Sequence, residues 1–336
     1  MRAGLLIHFL LGLVIGSMGQ QIEMLDSGGN RSLRGLSVVN NEVIWVSGSD
    51  GSVGRSTDGG ASWRWSNIGG YHARDFRDIE AFDSLHAVVI AIAEPAVILR
   101  TSDGGLSWKK VYENVLPGMF LDAIDFFDDR HGIVVGDPID GRFFLTITRD
   151  AGKTWTDLPL GDRPPADSGE ACFAASGTNI RMTGPKEWCF VSGGLSSRFI
   201  TNQFSSLLPL KQGTASSGAN AIAFSPGYGK SNQFIVSAGG DFSNDSLRTG
   251  TLSFSNDGGL SWALPLEPPF GYRSSVEFLT MDTLLAVGTS GVDISWNKGE
   301  SWQALSNTGF HVVKKAKQGN AVYFAGGRGR IARYNP

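Results

Sequence analysis

Ser56-Thr57-Asp58-Gly59-Gly60-Ala61-Ser62-Trp63 is the stretch from which the fold can be read. The same pattern, S/T-x-D-x-G-x-x-W, returns as TSDGGLSW at 101–108, TRDAGKTW at 148–155 and SNDGGLSW at 255–262. A worn copy, SWNKGESW, stands at 295–302 with Asn297 in place of the acid. Recurrence on this scale marks internal repetition. The chemistry of the motif is that of a tight turn between two strands. Asp58, Asp103, Asp150 and Asp257 can accept backbone N–H bonds from the turn, and the glycine two places on can take a positive φ. The Ser or Thr hydroxyl adds a local bond. Trp63, Trp108, Trp155, Trp262 and Trp302 then open the outgoing strand, each with a large apolar surface to bury between layers. A catalytic group is needed once and a hairpin clamp once per hairpin, so the repeated acids are assigned to structure.

Working outward, each turn position is preceded by a β-rich segment ending in small residues, at 44–48, 86–91, 131–136, 188–194, 233–240, 284–288 and 321–327. Before each of these lies another apolar strand, at 33–39, 76–82, 121–127, 171–176, 220–224, 274–279 and 311–315. Seven units of roughly 45 residues, each reading strand A, strand B, strand C, turn, strand D, predict an all-β, seven-bladed β-propeller with four-stranded blades. Helical periodicity is absent. Blades four and seven lack the turn signature. In blade four 198–203 takes its place, which predicts a looser hairpin. In blade seven the chain ends on strand C at 329–334, so the missing outer strand is expected from 22–25, closing the ring.

Residues 1–19 read as a secretory signal, with Arg2, an apolar run from Leu5 to Ile15 and then Gly16, Ser17 and Gly19. Cleavage near Gly19 or Gln20 leaves one propeller domain over 20–336 and moves the net charge from −3 to −4. A periplasmic or extracellular monomer without stable membrane insertion is expected, and a near-neutral chain with 18% charged residues offers no basic face for nucleic acid. The two cysteines, Cys172 and Cys189, read as neighbours on antiparallel strands; a disulfide and two buried free thiols are the alternatives. No His or further Cys stands at ligand spacing, so neither a metal nor a cofactor is expected.

The turns resemble the Asp boxes of bacterial sialidases and other BNR-repeat propellers. The single seven-bladed ring with an export signal is most similar to the photosystem II stability and assembly factor family and its bacterial relatives. That resemblance spans nearly the whole mature chain. It implies a non-catalytic binding or assembly module with a protein partner in the cell envelope, and it specifies fold better than activity.

In such a ring the C-to-D turns occupy one face, while the D-to-A and B-to-C loops converge around the channel on the other, where ligands gather. Candidates there are Arg77, Glu80, Glu94, Asp125, Asp137, Asp140, Arg142, Glu170, Asp241, Arg273 and Glu277. Aligned A strands put Glu80, Asp125 and Glu277 at one repeated position and Arg34 and Arg77 at another. These charges form either Arg–carboxylate bridges between blades or a mixed-charge binding funnel. The alternative function is a glycan-active or glycan-binding protein of sialidase type. It would need three arginines, for which Arg34, Arg77 and Arg273 could serve, with Tyr71 or Tyr272 as nucleophile. However, the first strand reads SLRGL where those enzymes carry an FRIP-like motif. No catalytic residue is assigned.

Overall fold

The computed structural model describes residues 21–226 and 234–336, which form seven antiparallel sheets arranged as blades. The export signal expected at 1–19 lies outside the described residues. Blade one is Leu33–Val38, Ile44–Gly48, Ser52–Ser56 and Arg64–Asn67, taken in chain order, and blades two, three, four and six follow the same order. The B strands, such as Ala87–Ala91, are buried over most of their length because neighbouring blades cover both of their faces, so they are largely apolar. Outer strands such as Lys109–Asn114 face solvent and carry charge.

Seven hydrophobic clusters lie one at each junction between blades, including the junction of blade seven with blade one. Closure follows the expected route. Ile22–Ser27 pairs antiparallel with Arg330–Tyr334, placing Ile22 opposite Tyr334 and Met24 opposite Ala332.

Each turn is built as its residues dictate. Asp257 accepts the Ser255 hydroxyl at 2.8 Å, the Ser261 amide at 2.9 Å and the Ser261 hydroxyl at 2.5 Å, while the Ser255 hydroxyl accepts the Gly259 amide. Asp58, Asp103 and Asp150 repeat these bonds, and Asn297 accepts the Ser301 amide at 3.0 Å. Hydrogen bonds from Ser62, Ser107 and Ser261 hold Asp58, Asp103 and Asp257 respectively down at about 2. Two successive residues take positive φ, and Ala151 and Lys298 do so without being glycine. The tryptophans pack on the preceding blade: Trp108 meets Trp45 edge-on and Trp262 meets Phe199.

Blade four departs from expectation. Its inner strand is Ile180–Met182, not 171–176. The run AlaCysPheAlaAlaSer, mostly small and apolar, has the composition of an inner strand but no period to identify it. Here it lies in the channel and is buried from all sides. Glu170–Ala171 instead pairs with Gly193–Gly194, which joins the sheet of blade five through Gly193 opposite Gly218. Blade five also includes Ser217–Phe224, Ile235–Asp241 and Leu252–Ser255, with Ala263 bridging Phe254 on the outside. The C-to-D hairpin of blade four is short, with Thr201 Oγ1 accepting the Gln203 and Phe204 amides in place of the Asp clamp. Trp188, stacked on Phe190, joins Ile133 and Ile147 at the junction with blade three. The cysteines do not stand on paired strands: Cys172 belongs to the channel segment, Cys189 faces Arg181 and Thr201, and both are buried free thiols.

Candidate functional site

The start of every A strand lies at the end of its sheet away from the Asp turn: Leu33 faces Gly48, whereas Ile44 faces Ser56. At this end the register slips by one residue in blades one, two, three and five, so that Arg34, Arg77, Asp122 and Asn220 are each the extra residue of a bulge. A bulge re-aims its side chain out of the pleat. The result is a ring of polar groups at the channel mouth, completed by Ser274 and His311.

The channel is stoppered just below. Residues 172–178 cross it, tied to five blades. The Cys172 amide donates to Asp137 Oδ1 at 2.9 Å in blade three, and Arg77 and Arg34 donate to the carbonyls of Ala174 (3.5 Å) and Ala175 (3.1 Å). The Ser176 hydroxyl donates to the Ser274 carbonyl at 2.6 Å in blade six, and the Ile222 amide of blade five donates to Thr178. Gly177 sits on Asp78 of blade two so closely that a Cβ would lie 2.1 Å from its carboxyl carbon. The loop satisfies its polar backbone in this way, as a buried segment must.

Above the stopper lies a cavity of about 480 Å³. It is lined by the ionisable residues Arg34, Arg77, Asp122, Asp137 and His311, and by the aromatic residues Phe120, Phe173, Phe242 and Tyr272 among others. Arg77 is paired with Asp75 at 2.8 Å. Burial pushes Asp137 up to about 6, and pushes Asp122, which also feels the Asp137 carboxylate, well above the carboxylate range. Burial together with Arg34, Arg330 and Arg77 holds His311 down at about 3, so it is neutral at pH 7. Tyr272 donates to Asn220 Oδ1 at 2.8 Å.

Below the stopper, three residues further along the A strands, a second ring of charge lines the channel: Glu80, Asp125, Arg181, Glu277 and Lys314. Arg181 lies 3.6 Å from Asp125, whose carboxylate also accepts the Met182 amide, and Lys317 pairs with Glu80. Burial raises Asp125 and Glu277 and lowers Lys314.

The expected site residues therefore divide. Arg77 and Asp137 line the cavity, and Glu80, Asp125 and Glu277 line the channel beneath it. The others are clamps. Glu94 accepts the Gly118 amide, Asp140 occupies a turn at φ 53°, Arg142 donates to the Arg163 carbonyl, and Asp241 accepts the Ser243 amide. Glu170 is buried against Arg198 (2.5 Å), and Arg273, 1% exposed, is sealed against Asp293 (2.7 Å). Arg273 therefore does not join Arg34 and Arg77, and the arginine trio of a sialidase is not assembled. Asp122, Asn220, Phe173 and Phe242 were not foreseen. The signal for Asp122 was available, since it shares the repeated position of Arg34 and Arg77.

No protein-family model matches the chain, and no curated protein does. Among solved structures it is similar to YCF48 bound to D1 peptide, with TM-score 0.64 and 16% identity over 94% of this chain and 95% of that one. The fold is that of YCF48. YCF48 from Cyanidioschyzon merolae aligns with TM-score 0.63 and 14% identity, over 94% of this chain and 99% of that one. The Neurospora crassa Pan2 WD40 domain follows at 0.59 and 12%, over 90% and 89%.

Proposed function

We propose that this protein is an exported, monomeric recognition module that binds a segment of a protein partner in the channel-face cavity, without catalysis. The observation that carries the reading is the stoppered cavity itself, where a mixed-charge rim and an aromatic wall meet over a fixed floor. Arg34 makes one hydrogen bond among the described residues, to Ala175, which leaves further guanidinium donors for a ligand. That YCF48 has been solved with a D1 peptide supports the same use of this fold. We assign the five turns to the Asp-box class and the protein to the periplasm or cell exterior, on the strength of the motif and the leader.

A peptide selection on the mature protein, followed by fluorescence anisotropy of the enriched peptides, tests the reading. Charge reversal at Arg34 should weaken binding at least tenfold, with thermal unfolding used to confirm that the fold is retained, because Arg34 also ties the stopper through Ala175. Peptides that bind Arg34→Glu as well as the parent would remove the cavity from recognition. Release of sugar from a fluorogenic glycoside panel would favour the sialidase-like alternative instead.

A further inference from the structure

Asp122 is not explained by the clamps or by the stopper. It is fully buried, at 0% exposure, and neither carboxyl oxygen makes a hydrogen bond of full geometry among the described residues, although the Ala174 amide lies near enough to favour its charged form. A buried carboxyl whose hydrogen bonds are left incomplete costs stability, and such a cost is retained where a ligand completes the bonds. Asp122 lines the cavity, and Asp137, on the strand paired with it, lines the same wall.

Aromatic side chains line the same cavity. Phe173 meets Phe242 at 5.8 Å with planes at 90°, and Phe242 meets Tyr272 at 6.2 Å and 74°. Rings set at right angles in succession turn both faces and edges toward one space. Phe242 stands at the rim, 49% exposed.

The chemistry of the missing partner follows. It must donate hydrogen bonds to two carboxyl groups that sit in a poorly solvated wall, and it must be comfortable over aromatic faces. The nearby cations do not fill the role, because neither Arg34 nor Arg77 donates to Asp122 or Asp137: Arg77 turns to Asp75 and Ala174, and Arg34 to Ala175. An anion offers no donor to the carboxyl oxygens, and a neutral amide brings no charge to the ring quadrupoles. A primary ammonium supplies three donors, a countercharge for the carboxyl pair and an attraction to the rings.

We propose that Asp122 and Asp137, together with Phe173, Phe242 and Tyr272, form an ammonium-binding subsite within the channel-face cavity. It takes a primary amine of the bound segment, from a lysine side chain or from a chain amino terminus. The subsite rests on the reading of the cavity as the partner-binding surface, and it adds the specificity that the arginines alone do not give.

The test uses the full mature protein and three small probes, titrated by ligand-observed NMR. These are Nα-acetyl-lysine N-methylamide, glycine N-methylamide and Nα-acetyl-norleucine N-methylamide. One or both amines should bind, the lysine probe marking a side chain and the glycine probe a chain terminus, with the norleucine probe at least tenfold weaker. Asp122→Asn and Asp137→Asn should each weaken amine binding at least tenfold while thermal unfolding shows the fold retained, and Phe242→Ala should weaken it several-fold. Equal binding of norleucine, absence of amine binding, or unchanged affinity in Asp122→Asn overturns the subsite. If amines fail while peptides still bind in an Arg34-dependent way, the subsite alone falls. If the Arg34 dependence fails too, the cavity reading falls with it.

Discussion

Replacing Asp137 by Asn should stabilise the protein, by an amount that grows with pH. The carboxyl accepts the Cys172 amide at 2.9 Å, yet burial still pushes it from 3.8 up to about 6. Asp122 in the same wall, Arg77 at the cavity edge, and Cys172 and Glu170 on the adjoining segment are the titratable and charged groups around it. A carboxyl that holds its proton more tightly when folded leaves stability intact below the unfolded value near pH 4. Stability is then lost as pH rises through about 6, above which the loss levels off. A rise of about two pH units corresponds to about 3 kcal/mol. Asparagine keeps an oxygen for the Cys172 amide and carries no charge, so it removes the loss. Urea denaturation of parent and variant, followed by tryptophan fluorescence at pH 4, 6 and 8, reads the difference. The two should coincide at pH 4 and separate by about 2–3 kcal/mol at pH 8, with the variant the more stable. A gap that does not change with pH, or a variant less stable at pH 8, would refute the reasoning.

Asp257→Ala removes an acceptor of three hydrogen bonds at a half-buried turn and should cost about 2 kcal/mol in the same urea assay. Ala151→Gly and Lys298→Gly relieve left-handed backbone at φ 64° and 60°, and each should gain roughly 0.5–1 kcal/mol. Gly177→Ala sets a Cβ against the Asp78 carboxyl at a φ of 65°. It should destabilise by about 2 kcal/mol or more, and hydrogen exchange should quicken first at 172–178.

The ring was legible because its code is local. The turn 56–63 carries its own hydrogen-bond partners within eight residues, so sequence and geometry say the same thing at each copy. The missing outer strand of blade seven pointed to 22–25 for the same reason: a four-stranded unit short of one strand must find it. The stopper was not legible, since AlaCysPheAlaAlaSer at 171–176 has the residues of an inner strand and only the neighbours it meets tell otherwise. The site was half legible. Loop charge identified Arg77 and Asp137, but it could not separate them from Glu94, Glu170 and Arg273, whose partners are brought in by pairing and packing that no spacing reveals. Asp122 was legible by position, three residues before Asp125 as Arg77 is before Glu80, but the bulge that turns it toward the cavity is a slip that no pattern of alternation shows.

A propeller whose axis is blocked cannot be threaded. An extended polypeptide has no way to run from one mouth to the other, and solutes on the two sides meet only by travelling around the rim. What reaches the floor formed by 172–178 must arrive and leave by the same door, so the proposed partner would present a tip or a bent loop. Length beyond that tip would stay outside at no cost, so the cup sets no limit on the size of the proposed partner.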